Sequence, residues 1–181
     1  MKSKQKISFL LCFLMLTSCY QTLDFDQLDN YVLKPVYTSP ITYFTVLPFQ
    51  FFDSNGIQQF SISEESEFPV FENSFFRDNV VKLDFNLEIR NEFDRNVILQ
   101  IELIDNNNNS VYNFNSIEID AGELNYSFLE EIETTTNLNL TNTAKIRITA
   151  FIENTGTPMN SADTSEFVLK SSATIYIESS L

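Results

Sequence analysis

Apolar and polar side chains alternate along much of this chain. The clearest stretch covers residues 81–90, where each second residue is apolar and the residues between are Lys, Asp, Asn, Glu and Arg. The same alternation recurs at residues 97–103 and 145–152. A period of two is typical of a strand with one buried face, so these segments predict three strands. We expect the first two to form a hairpin closed around residues 93–96.

Shorter apolar segments at residues 41–49, 111–114, 117–119 and 167–177 add further strands, separated by polar turns. Residues 124–133 fit either a strand or one apolar helical face, and we favour the strand because its neighbours are strands. Residues 138–143 suggest a short helical turn. About seven strands joined by short turns predict an all-β antiparallel sandwich of immunoglobulin-like architecture, with a compact barrel as the alternative.

The start of the chain has a different pattern. Lys2, Lys4 and Lys6 precede an apolar run over residues 7–16, which ends in Leu-Thr-Ser-Cys at residues 16–19. A helix that spans a bilayer needs about 20 apolar residues, and this run is shorter. A basic segment, a short apolar run and small residues are together typical of a cleaved export signal.

The end of this signal resembles the lipobox of bacterial lipoproteins, with Leu16 at its aliphatic position, Ser18 before the cleavage site and Cys19 as the lipid acceptor. The resemblance implies a diacylglyceryl group on the Cys19 thiol, cleavage between Ser18 and Cys19, and acylation of the new amino terminus, commonly with palmitate. An ordinary secretory signal with a chance cysteine is the alternative. Tyr20 is not the Asp that retains enterobacterial lipoproteins at the inner membrane, which favours the outer membrane.

These features divide the chain into a signal (1–18), a lipidated tether (19–39) and the sandwich domain (40–181). Beyond the signal lie 8 of the 11 basic residues and all 25 acidic ones, so the mature chain has a net charge of −17. That charge repels nucleic acid. The Asn- and Phe-rich acidic composition is similar to that of surface or periplasmic lipoproteins of Bacteroidota. The membrane, reached through the lipid on Cys19, and an envelope protein are the expected partners.

The sequence contains few candidate catalytic residues. The chain has no histidine, which removes triads and general bases built on His and most zinc sites. Two groups of carboxylates remain, at residues 64–67 and 130–133, and pairs of carboxylates can hydrolyse glycosides. Acidic runs are common in so acidic a chain, and we expect both groups to be solvated. We therefore predict neither an enzyme nor a cofactor.

One segment carries oxygen ligands in a spacing that calcium could use. Asp105 is followed by four asparagines, but Ser110 and Ser116 stand where an EF-hand loop needs Gly and Glu. We interpret the segment as a turn of asparagines, which tolerate left-handed backbone conformations. Residues 53–56 are interpreted in the same way, and no metal site is predicted.

Residues 64–77 fit no strand pattern and are rich in phenylalanine. Phe68, Phe71, Phe75 and Phe76 lie there among four acidic residues. One interpretation is that these rings cover an open end or edge of the sandwich. The other is that some stay exposed as a partner-binding patch with an acidic rim.

The function expected from these features is that of a lipid-anchored envelope protein, either a structural or a protein-interaction module. A ligand-binding or adhesive module for glycans is the alternative.

Overall fold

The computed structural model describes residues 31–180, of which residues 33–179 form one compact unit. Residues 31, 32 and 180 belong to a second unit made of the chain ends. The described residues contain one α-helix, α1 (Ser74–Asn79), and three short 3-10 helices, at Pro48–Phe51, Pro69–Glu72 and Leu138–Asn142. The strands are β1 (Val32–Leu33), β2 (Val36–Val46), β3 (Ser61–Glu67), β4 (Val80–Asn91), β5 (Val97–Ile104), β6 (Ser110–Asn113), β7 (Ile117–Ile119), β8 (Tyr126–Glu133), β9 (Lys145–Ile152), β10 (Phe167–Ile177) and β11 (Ser179–Ser180).

The long strands form two antiparallel sheets. The front sheet has the order β2-β10-β4-β8, and the back sheet has the order β3-β9-β5-β6, with β7 also paired to β5. Strands β2, β4, β8 and β10 alternate along the chain with strands of the back sheet, which is the jelly-roll arrangement of a sandwich. The predicted all-β antiparallel sandwich is confirmed, and its likeness to immunoglobulin domains is one of architecture.

The predicted hairpin between residues 81–90 and 97–103 is wrong. Strand β4 pairs with β8 and β10 in the front sheet, whereas β5 pairs with β9, β6 and β7 in the back sheet. The connection is held by Asn91, whose side-chain amide donates to the carbonyl oxygens of Arg95 and Asp120 and whose oxygen accepts from the Phe93 N–H. Asn91 is fully buried. Its three hydrogen bonds satisfy a polar side chain at the point where the chain crosses between sheets.

The core lies between the sheets and follows the alternation that the sequence predicted. The inward-facing residues of β4 are Leu83, Phe85, Leu87 and Ile89, and those of β5 are Val97, Leu99, Ile101 and Leu103; all are buried. Residues 126–133 form a strand rather than a helix, and residues 138–142 form the expected helical turn. Phe85 lies at the centre, with ring centroids 5.8 Å from Phe68 and 5.3 Å from Phe114.

The first long strand begins earlier than the sequence suggested. Strand β2 starts at Val36 and ends at Val46, so the boundary placed at residue 40 falls inside it. Pro40 lies beside an irregularity in the register, between Ser171 and Ser172 of β10. Proline lacks an N–H donor and is tolerated at a bulge on an edge strand, which is where it lies here.

Candidate functional site

The predicted lipidation site lies outside the described residues. Ser18 and Cys19 precede residue 31, where the description begins. The signal, its cleavage site and the lipid on Cys19 therefore stay predictions. None of the helices within residues 31–180 is long and apolar enough to cross a bilayer.

The structure separates the four phenylalanines of the predicted partner patch. Phe68 and Phe71 are each 3% exposed and belong to the core, with ring centroids 6.0 Å apart. They therefore offer no surface to a partner and instead fill the sandwich beside Phe85, as the first interpretation of residues 64–77 expected. The segment is also more regular than expected, because Ser61–Glu67 is strand β3.

The other two rings remain at the surface and gain a neighbour that the sequence did not suggest. Phe75 is 42% exposed and Phe76 is half-buried, with ring centroids 5.8 Å apart. Phe76 also contacts Tyr37 of β2, edge to face, at 5.9 Å, and Tyr37 is 49% exposed. Tyr37, Phe75 and Phe76 are called the aromatic cluster below. Tyr37 is far from the two phenylalanines in sequence, so no local pattern could have joined it to them.

The aromatic cluster adjoins a free sheet edge. Strand β2 pairs with β10 on one side and with no other strand of the described chain on its other side. Its eleven residues carry no charge, and the uncharged run extends over residues 35–52. Val36, Tyr37 and Tyr43 are each about half exposed or more. A long, uncharged edge is a template for pairing with another strand.

The two acidic groups have different environments, and one prediction about them is wrong. Glu130 faces inward on β8 and is only 9% exposed, although solvation was expected. The Tyr112 hydroxyl of β6 donates to its carboxylate at 2.6 Å, so this pair joins the two sheets. Burial, followed by that hydrogen bond, raises the pKa of Tyr112 to about 12. In the other group, Glu65 pairs with Arg147 at 2.9 Å on the outer surface, and hydrogen bonding to Arg147 lowers the pKa of Glu65.

A compact polar cluster lies on the outer face of the front sheet. Asp84 accepts a 2.8 Å hydrogen bond from the Tyr176 hydroxyl and forms an ion pair with Lys82 at 2.9 Å. Lys82 also pairs with Glu131 and lies over the Tyr176 ring. Hydrogen bonds to Glu131 and then to Asp84 raise the pKa of Lys82. These groups are all paired with one another across β4, β8 and β10, with two carboxylates to one lysine, so the cluster is a structural element of the sheet.

The two segments rich in Asp and Asn, at residues 53–56 and 105–109, form turns, as expected. Asp105 Oδ1 accepts from the N–H groups of Asn107 and Asn109, each at 2.8 Å, and Asn108 adopts a left-handed conformation with φ 62°. The pKa of Asp105 is lowered by these bonds, first by that from the Asn109 side chain. Asp53 makes the same pattern with Asn55 and Ile57. Within residues 31–180 no group of three or more acidic or cysteine side chains is arranged to hold a metal ion.

Comparison with known proteins finds similarity in fold alone. No protein-family profile and no curated sequence matches the chain. Among solved structures, a candidate secreted protein of Parabacteroides distasonis ATCC 8503 matches with a TM-score of 0.50 and 13% identity. The match covers 64% of this chain and 37% of that protein, so the chain spans little more than a third of its length. A structure of desmodium yellow mottle tymovirus matches with a TM-score of 0.43 and 14% identity over 84% of each chain. This chain is thus similar in fold, though not in sequence, to an antiparallel β-sandwich of a member of the Bacteroidota.

Proposed function

We propose that this protein is a lipid-anchored envelope protein that acts as a protein-interaction module and accepts an extended strand of its partner at the β2 edge. The observation that carries the proposal is the uncharged, exposed length of β2 beside the aromatic cluster. Addition of a strand to a sheet edge gains affinity from backbone hydrogen bonds and specificity from side-chain contacts.

The anchor is supported by the order of features at the start of the chain. Three lysines and an apolar run precede the Leu-Thr-Ser-Cys sequence that ends at Cys19, and strand β2 begins at Val36. The residues between Cys19 and Val36 give a tether that places the β2 edge near the membrane that holds the lipid, which we take to be the outer membrane. Stable anchoring needs two or more lipid chains, which the lipobox processing would supply.

The chemistry around β2 indicates what kind of strand would bind. An acidic side chain lies beside this edge, because Glu67 lines a small cavity with Ser39 and Pro40 of β2. A second copy of this chain would bring another net charge of −17 and would be repelled at long range. The expected partner is therefore a different envelope protein that presents an apolar or hydroxyl-bearing strand with flanking lysine or arginine residues.

The anchor is tested by fractionation. Cys19→Ala removes the lipid acceptor, and we expect the variant to move from the membrane fraction to the soluble fraction. Retention of this variant in the membrane without detergent would contradict the proposed anchor.

The β2 edge is tested by site-specific photo-crosslinking in cells. A photoreactive residue at Ser39 of β2 should yield a crosslinked product with another protein, and the same residue at the exposed Ser61 of edge strand β3 should not. Ser39→Lys, which places a charge on the inner face of the edge, should then abolish co-purification of that protein, while Ser61→Lys should retain it. Equal crosslinking from both edges, or retention of the protein by Ser39→Lys, would contradict strand addition at β2.

A further inference from the structure

A row of four side chains crosses the outer face of the front sheet, one from each strand. Tyr43 of β2 faces Lys170 of β10, Lys170 faces Glu88 of β4, and Glu88 faces Ser127 of β8. Neighbouring strands lie about 4.8 Å apart, so the row is about 14 Å long. It lines a groove of about 380 Å³ that also contacts Leu124.

Lys170 differs from every other basic residue in the described part of the chain. The other seven each have a partner: five pair with one or more acidic side chains, Arg95 pairs with Asp94 while buried, and Arg77 donates to the Phe71 carbonyl oxygen. Lys170 has neither an ion pair nor a side-chain hydrogen bond within residues 31–180, even though Glu88 lies opposite it. In so acidic a protein, a lysine without a partner leaves three donors free in the groove.

The other side chains of the row are also free to contact a ligand. Tyr43 is 64% exposed and its ring forms no stack with another ring of the described chain. Glu88 and Ser127 are exposed and have no side-chain hydrogen bond among residues 31–180. The row therefore offers an aromatic face, a donor, an acceptor and a hydroxyl in sequence along one line.

The charge of the groove excludes a strongly anionic ligand. The positive charge of Lys170 is offset by the negative charge of Glu88 on the neighbouring strand, although the two side chains form no ion pair. The nearby Arg90 is neutralised by Glu92 and Glu166, each at 2.9 Å. A neutral ligand with an apolar face and several hydroxyl groups matches the remaining chemistry, because hydroxyl groups accept from the ammonium, donate to the carboxylate and leave the ring C–H face to pack on tyrosine. We infer that this groove binds a neutral carbohydrate, with Tyr43 as the packing surface and Lys170 and Glu88 as the hydrogen-bonding pair.

The lack of tryptophan in this chain gives a direct test. The full chain with Cys19→Ala and Tyr43→Trp carries a single tryptophan in the groove, and its fluorescence is followed on titration with tetrasaccharides of glucose, xylose, mannose and N-acetylglucosamine. We expect a saturable change with at least one of them at millimolar concentration. The matched control is Tyr31→Trp, which places the same fluorophore at an exposed tyrosine outside the row and should not respond.

Two further variants test whether Lys170 and Glu88 form hydrogen bonds with the carbohydrate. Lys170→Gln and Glu88→Gln in the Tyr43→Trp background should each weaken binding at least tenfold, whereas Ser39→Lys at the β2 edge should leave it unchanged. Carbohydrate binding in the groove can thus be disproved while strand addition at β2 is supported, and strand addition can be disproved while carbohydrate binding is supported. No response to any tetrasaccharide, an equal response from Tyr31→Trp, or stronger binding of a galacturonate tetramer than of the neutral sugars would overturn it.

Discussion

The edge strands β2, β3 and β8 differ in whether a charged side chain points into the sandwich. Strand β3 carries Glu64 on the face that looks into the sandwich, opposite Ile148, and β8 carries Glu130 in the same orientation, opposite Phe85. The inward positions of β2 hold Tyr37, Ser39 and Phe44, none of them charged. Inward-pointing charges on edge strands prevent pairing with other chains, so β3 and β8 are protected and β2 is open. Because the open edge is also the one nearest the proposed anchor in sequence, we associate it with binding.

The largest expected effect comes from the core that supports both kinds of edge. Phe85→Ala removes the ring that contacts Phe68 and Phe114, and it should lower the free energy of unfolding by roughly 3–5 kcal/mol because it leaves a cavity. Urea unfolding followed by circular dichroism measures it. Leu138→Ala, at an 81% exposed position, is the control and should change stability by less than about 0.5 kcal/mol. Equal effects from the two variants would place Phe85 outside the core.

At the protected β8 edge, a partly buried hydrogen bond joins Tyr112 to Glu130, and the next variant removes it. Tyr112→Phe leaves the Glu130 carboxylate without its donor and should cost about 1–3 kcal/mol at neutral pH. The pKa of Tyr112 is raised to about 12 from 10.0, so its contribution is complete below pH 10 and is lost as the pH rises toward 12.

The parent and Tyr112→Phe proteins should therefore converge in stability as the pH rises above 10, measured by thermal unfolding at a series of alkaline values. A constant difference across that range would show that the hydroxyl contributes by packing alone.

Converting the protected β3 edge into one like β2 sharpens the comparison further. Glu64→Thr removes the inward charge, and Glu64 makes no ion pair within the described chain. We expect little change in stability but increased self-association, detected by sedimentation velocity across a concentration series. The exposed Glu153 is outside all strands, and Glu153→Thr is a control for the change in net charge. Equal association of the two variants would mean that it follows from the change in net charge rather than from the loss of edge protection.

The smallest effect is expected on the outer surface of the back sheet. Glu65→Gln removes an exposed ion pair with Arg147, and such pairs contribute little. The lowered pKa of Glu65 means that any contribution is present above its unfolded value of 4.5 and disappears as the pH falls through the folded value. Parent and variant should differ slightly in melting temperature at pH 7 and not at pH 2.5. A difference that persists in acid would exclude the ion pair as its source.

The strands themselves could be predicted from the sequence because their signal is local. Alternation over residues 81–90, 97–103 and 145–152 assigns one buried face to each strand, and every inward apolar residue of β5 is buried. The turn at Asp105 was also predictable, since an aspartate that accepts from the N–H groups two and four residues later needs no distant partner.

Which strands pair depends on contacts that are distant in sequence. The segment between β4 and β5 has the length and polarity of a hairpin turn, yet Asn91 binds the Asp120 carbonyl and directs the chain into the other sheet. Strand β3 was missed because its exposed edge position leaves it rich in serine and glutamate, so it lacks the apolar face on which strand prediction depends.

The candidate sites likewise depend partly on local sequence and partly on contacts between residues that are distant in sequence. Composition and spacing determined the export signal pattern, the uncharged run over residues 35–52 and the cluster of phenylalanines that follows it. Only the tertiary structure decided that Phe68 and Phe71 are buried, that Tyr37 joins Phe75 and Phe76, and that Lys170 lies in a row with Tyr43 and Glu88. The physical reason is that burial and side-chain neighbours on a sheet are set by strand order, which brings together residues more than a hundred positions apart.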